Sequence, residues 1–184
     1  MLGWLVKRRL AAFERAFDYD TSYMQELYDV SPRAFWKYSK IAALSQHRED
    51  VPKEAWHAAK IVAALAEDCG PCTQLAVTMA ERAGVSSETL RAILTEDQRA
   101  MSPDAALGFA FAKAVLHRDL PESDRLRGEV ESRWGKRAVV SLALVIAATR
   151  VFPAVKYGLG YGRTCSRVRV AGTDVSVVKE PTHA

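Results

Sequence analysis

The chain has 184 residues, 49% hydrophobic and 26% charged, which suits one domain with a buried core and excludes dominant disorder. Its formal charge of +4 is scattered over Lys7 to Arg9, Arg125 with Arg127, Lys136 with Arg137, and Arg163 to Arg169. Without a concentrated basic stripe or a recognisable module, nucleic acid is excluded as a partner. The longest uncharged apolar run, 138–149, is closed by Arg137 and Arg150 and is shorter than the roughly 20 residues of a membrane span, so no transmembrane helix is predicted.

In chain order, Leu2, Val6, Leu10, Phe13 and Phe17 stand at helical spacing with Lys7, Arg8 and Glu14 elsewhere on the wheel. This predicts an amphipathic helix. Basic residues beside Trp4 suit a membrane surface, and the alternative is packing on the core or across a subunit interface. The apolar residues precede Lys7-Arg8-Arg9, the reverse of a secretory signal, so the chain reads as cytoplasmic. A helix follows at 23–29.

Ser31-Pro32 and Ser102-Pro103 each place a capping serine before a proline at the first helical position. Helices at 33–44 and 104–117 follow, with Phe35, Tyr38, Ile41 and Leu107, Phe111, Ala114, Val115 spaced for one apolar face. Between them lie alanine-rich helices at 52–68 and 71–83, the second ended by Gly84, and a short helix capped by Ser86 or Ser87 that runs to Leu94. Beyond them, helices are expected at 122–134, 136–150 and 153–161, with Gly135 ending the first.

Val168, Val170, Val175 and Val177 flank Ala171-Gly172-Thr173, which reads as two short strands joined by a glycine turn. A lone hairpin is marginally stable and must pack on the helices or a partner chain; a loosely ordered tail is the alternative. The elements therefore predict a single all-α domain over 1–184, with a helical arm at 1–30, a core at 31–165 and a hairpin or tail at 166–184. Phe35, Ile61, Leu65, Leu75, Phe109, Leu142 and Val145 are the expected core.

Cys69-Gly70-Pro71-Cys72 lies at the break between two of these helices. Two thiols one helical turn apart suit reversible disulfide chemistry, whereas three cysteines in a reducing compartment do not make a structural framework. Cys165 is left as an unpaired extra. Thioredoxin differs, because its pair follows a strand and 61–67 is too rich in alanine for one. At a helix N-terminus, unpaired N–H groups favour the thiolate of Cys72, while Glu67 and Asp68 oppose it if they face the same pocket.

Other readings of the pair stay open. The cysteines suit two small buried hydrophobes. A zinc site would need His47, His57, His117 or Cys165 as well, and no second close pair completes four ligands, so no metal or other cofactor is expected. His117, near a helix end, reads as a dipole-compensating surface residue.

The helix from Val51-Pro52-Lys53-Glu54 to Asp68, the cysteine pair opening the next helix, and the run ending Ala147-Ala148-Thr149-Arg150-Val151-Phe152 resemble the alkylhydroperoxidase D and carboxymuconolactone decarboxylase superfamily. The resemblance covers residues 31–162 and implies an all-α fold that builds trimers or hexamers. The redox-active branch has a glutamate, eleven residues, Cys-x-x-Cys, three residues, then a histidine. There the second cysteine attacks peroxide, the first condenses with it, and the glutamate and histidine relay protons.

In this chain Cys69 and Cys72 match, but His57 stands at the glutamate position and Ala76 at the histidine position. His57 titrates near neutral pH and suits a base, and Glu54, one turn earlier, can orient or charge it. The resemblance thus implies a thiol-dependent oxidoreductase that reduces hydroperoxides or exchanges disulfides. Its site residues would be Cys69, Cys72, His57 and Glu54, and its partners a small-molecule peroxide and a dithiol reductant. One alternative is a catalytically silent oligomer that binds a small apolar ligand or a partner protein. A lactone decarboxylase is disfavoured, since that branch does not depend on a cysteine pair.

Overall fold

Capping starts the helices where serine and aspartate stand. In the computed structural model, which describes residues 2–164 and 167–178, Ser31 accepts from the Ala34 N–H, Ser86 from Thr89, Ser102 from Ala105 and Asp119 from Glu122. Each satisfies one N–H that a helix start leaves unpaired. The described helices are α1 (Leu2–Phe17), α2 (Ser22–Val30), α3 (Pro32–Leu44), α4 (Lys53–Leu65), α5 (Gly70–Arg82), α6 (Ser87–Leu94), α7 (Pro103–His117), α8 (Leu120–Trp134) and α9 (Lys136–Gly158). A short 3₁₀ turn at Gln98–Ala100 links α6 to α7.

The all-α expectation holds, with one correction. Helices expected at 136–150 and 153–161 form one continuous helix, with Pro153 inside α9. An interior proline removes a backbone hydrogen bond and costs about 3 kcal/mol or more. That cost is offset because Ala138, Leu142, Val145, Thr149, Pro153 and Lys156 form one buried stripe that a break would disrupt. As a result α9 is long and apolar enough, by length and composition, to cross a membrane, which the 138–149 run alone was not. It packs here against α3, α4, α7 and α8.

α4 is the centre of the fold. Every residue from Ala55 to Ala64 is buried, against α5, α6, α7 and α9. A helix enclosed on all sides needs small residues for its neighbours to approach, and α4 supplies alanine. α7 approaches closely, so that a Cβ on Gly108 would stand 2.2 Å from the Ala55 carbonyl oxygen. Phe35, Ile61, Phe109, Leu142 and Val145 are buried as expected, whereas Leu65 and Leu75 are only half-buried. Phe35 joins Val6 and Leu10 in a smaller cluster that fastens α1 to α3.

The C-terminal alternative resolves as a hairpin for 167–178. Strands β1 (Arg167–Val170) and β2 (Thr173–Ser176) pair antiparallel with Val170 opposite Thr173, leaving Ala171 and Gly172 as a two-residue turn. Both turn residues have positive φ, 48° and 78°, as a primed turn that follows the strand twist requires. Val168 and Val170 face inward and are almost fully buried, against α5 and α6. Cys165 and the tail at 179–184 lie outside the described residues.

Candidate functional site

The cysteine turn is fixed from both sides. After α4 the chain reverses through Asp68, whose φ is 47°, and Cys69 becomes the extended N-cap residue of α5. Gly70 and Pro71 make the first turn, so Cys72 is the third helical residue. The carbonyl of Cys69 accepts from both the N–H and the hydroxyl of Thr73, at 2.9 and 3.0 Å. On the far side, the Gly70 N–H donates to the Arg163 carbonyl at 3.0 Å and the Tyr157 hydroxyl donates to the Asp68 carbonyl at 2.9 Å. The end of α9 and the loop after it thus hold the turn. Arg150 pairs with Glu67, which offsets a negative charge that would oppose a thiolate.

This geometry brings the two sulfurs to disulfide-bonding distance, with Cα atoms 5.3 Å apart, inside the usual disulfide range. Cys69 is fully buried and Cys72 is 7% exposed, so reagent access is to Cys72. Beside the turn, an apolar groove of about 440 Å³ is lined by Glu67, Arg150, Val151, Ala154 and Val155.

The polar surroundings of Cys72 come from residues that the sequence did not single out. The Tyr19 hydroxyl lies 3.9 Å from the Cys72 sulfur. A disulfide sulfur carries no hydrogen, so in the oxidised state Tyr19 is the donor. Lys156 Nζ donates to the Tyr19 oxygen at 3.4 Å and sits 4.6 and 5.1 Å from the ring centres of Tyr19 and Tyr23. Tyr38 donates to the Tyr23 hydroxyl at 3.3 Å. Burial pushes the Tyr19 hydroxyl up to about 12 and raises Tyr23 and Tyr38 as well, so all three remain phenols at neutral pH. Burial lowers Lys156, against the raising influence of Asp20, while Arg163 lowers it further. Among the described residues no carboxylate forms an ion pair with Lys156. One signal was available in the sequence, because Lys156 falls on the apolar stripe of α9 where a solvated lysine does not belong.

The other two expected site residues have different surroundings. His57 is buried near the start of α4, edge-on to Trp56, and its Nδ1 has no hydrogen-bond partner among the described residues. Burial, helped by the positive charges of Lys60, Arg48 and Lys53, pulls it down to about 4, so the imidazole is neutral. Glu54 is partly exposed and its carboxylate lies 3.9 Å from Lys53 Nζ. Among the described residues no hydrogen bond joins His57 or Glu54 to either cysteine or to each other. Ala76 is buried in the main core.

Among the described residues no three His, Cys, Asp or Glu side chains gather as a metal site, and Cys165, one ligand of the zinc alternative, lies outside them. The basic residues are less scattered than the sequence suggests. Arg15, Arg82, Arg167 and Arg169, with Asp18 and Asp174, line a separate cavity of about 550 Å³ at the end of α1. Comparison with protein-family models, curated proteins and solved structures finds no match to this chain.

Proposed function

We propose that the chain is a thiol-dependent oxidoreductase of the alkylhydroperoxidase D type that works through Cys69 and Cys72. The observation that carries this reading is the placement of both sulfurs within bonding distance at the start of α5, with only Cys72 retaining access. The Cys72 thiolate attacks the terminal oxygen of a hydroperoxide, the O–O bond breaks, and an alcohol leaves once a proton is supplied. Cys72 is then a sulfenic acid. The Cys69 thiol attacks its sulfur, the S–O bond breaks, and water departs as the disulfide forms. A dithiol reductant restores the pair and becomes a disulfide itself. Such a cycle belongs to a reducing, cytoplasmic setting.

The trimeric or hexameric assembly implied by the family resemblance is part of the proposal. Trp4, Leu5, Trp36 and Val140 are large apolar residues left exposed on α1, α3 and α9, which supports self-association. Near-complete burial of both cysteines, together with Ala76 at the family's histidine position, favours a second reading, a catalytically silent scaffold. The Cys69→Ser variant separates the two. With no partner thiol to condense with, Cys72 should accumulate as a sulfenic acid that dimedone traps on the Cys72 peptide after exposure to an alkyl hydroperoxide. A Cys72 peptide without adduct favours the scaffold.

A further inference from the structure

We propose that Tyr19 hydrogen-bonds the reacting Cys72 sulfur and supplies its hydroxyl proton to the leaving group, and that Lys156 behind it replaces that proton, forming a Lys156–Tyr19–Cys72 relay. This rests on the redox reading of Cys72, and it takes over the proton supply for which the resembled family uses other residues.

The hydrogen bonds run in one direction. Lys156 can only donate, and it donates to the Tyr19 oxygen at 3.4 Å. Tyr19, with that oxygen occupied, has its single hydrogen free to point at the Cys72 sulfur 3.9 Å away. The chain of donors therefore ends on one atom. The Tyr19 ring packs edge-on against Phe13, and Tyr23 beside it accepts from Tyr38.

Charge points the same way. Lys156 is 2% exposed, and its ammonium meets the ring faces of Tyr19 and Tyr23 and the Tyr19 hydroxyl. A buried ammonium without a paired anion is costly, and cation–π contacts recover only part of that cost. In the reduced protein an anion does appear next to it, one hydroxyl away, when Cys72 ionises. The cation thus complements the reduced state of the pair. The groups that set its charge are Tyr19 from the segment after α1, Tyr23 from α2, and Asp20 and Arg163 at longer range. The two rings and Asp20 favour the ammonium, and Arg163 opposes it.

The Cys72 thiolate and the hydroperoxide form the S–O bond and break O–O. The departing alkoxide takes the Tyr19 proton, and Lys156 returns one to Tyr19. The products are a sulfenic acid, an alcohol and a neutral Lys156 amine. Reduction of the disulfide by the partner dithiol leaves Cys69 as a thiol and Cys72 as a thiolate, and the proton it liberates recharges Lys156.

The test is alkylation of the fully reduced, full-length protein by iodoacetamide across pH, read at the Cys72 peptide by mass spectrometry. Wild type, Tyr19→Phe, Lys156→Met and the double variant are compared. Both single variants should move the Cys72 midpoint upward by about one pH unit, which is about a tenfold loss of thiolate below the midpoint. The double variant should move it no further than the larger single shift, because both residues act along one line. An unchanged midpoint in Tyr19→Phe overturns the proposal, and an unchanged midpoint in Lys156→Met alone removes Lys156 from it. Tyr19→Phe keeps the ring and deletes one oxygen, so it decides the question even if Lys156→Met fails to fold. Alkylation needs no peroxide or disulfide, so failure of the redox reading and failure of the relay give separate results.

Discussion

Among the described residues three basic side chains, Lys60, Lys156 and His57, are buried beside this core, and each meets its burial differently. Lys60 Nζ reaches the Ser45 carbonyl at 3.0 Å and lies over the Trp56 ring, and burial still pulls it down to about 8. Lys156 is held among tyrosines beside Cys72. His57 stays neutral with Nδ1 unpaired, and this has a consequence for stability. Its folded value of about 4 lies below the ordinary 6.5, so between those pH values the unfolded chain binds a proton that the folded chain refuses. Stability contributed by neutral His57 is complete above pH 6.5 and falls as pH drops towards 4, by up to about 1.4 kcal/mol per pH unit. Urea denaturation of wild type and His57→Leu at pH 7.0, 6.0 and 5.0 should show the wild type losing stability faster than the variant. Parallel losses would mean that His57 is hydrated in the folded protein. At this scale the cysteine pair was legible because four consecutive residues carry it. The Tyr19–Lys156 contact was not, since it joins residues from opposite ends of the chain and depends on how α9 is placed.

Between elements, the close α4–α7 crossing gives a paired prediction. Gly108→Ala would place a methyl group 2.2 Å from a carbonyl oxygen in the backbone of α4, which has no side-chain rotation with which to yield. Overpacking of this kind costs about 1–3 kcal/mol, more than the ~1 kcal/mol that alanine gains over glycine in a helix. Gly128 on α8 is exposed and meets nothing within 4 Å. Gly128→Ala should therefore stabilise by up to about 1 kcal/mol, and urea midpoints of the two variants should move in opposite directions. Capping serines and apolar spacing made most helix starts readable, because those signals are local. Pro153 misled for the same reason: its local meaning is a helix start, and the buried stripe through Thr149 and Lys156 overrides it. The hairpin was readable as a pattern, but its choice over a loose tail depends on Val168 and Val170 packing against α5 and α6.

Across the whole molecule, α9 does two jobs. Its first turns pack into the bundle, and its last turns with the following loop hold the cysteine turn through Tyr157, Arg150 and Arg163. Self-association belongs to this scale. Exposed Trp4 and Trp36 lead us to expect a species larger than the 20.3 kDa monomer by light scattering at micromolar concentration, and a monomer would remove the assembly. Oligomeric state, substrate and reductant were not legible in the sequence, because each depends on a surface that one chain does not complete by itself. The central claim is that Cys69 and Cys72 are a working redox pair, and mass spectrometry of the reduced full chain after one equivalent of an alkyl hydroperoxide tests it most directly. The account predicts that the peptide spanning both cysteines loses two hydrogens, regains them with dithiothreitol, and leaves Cys165 free to alkylate. Recovery of that peptide with both thiols intact while the hydroperoxide remains unconsumed would contradict it.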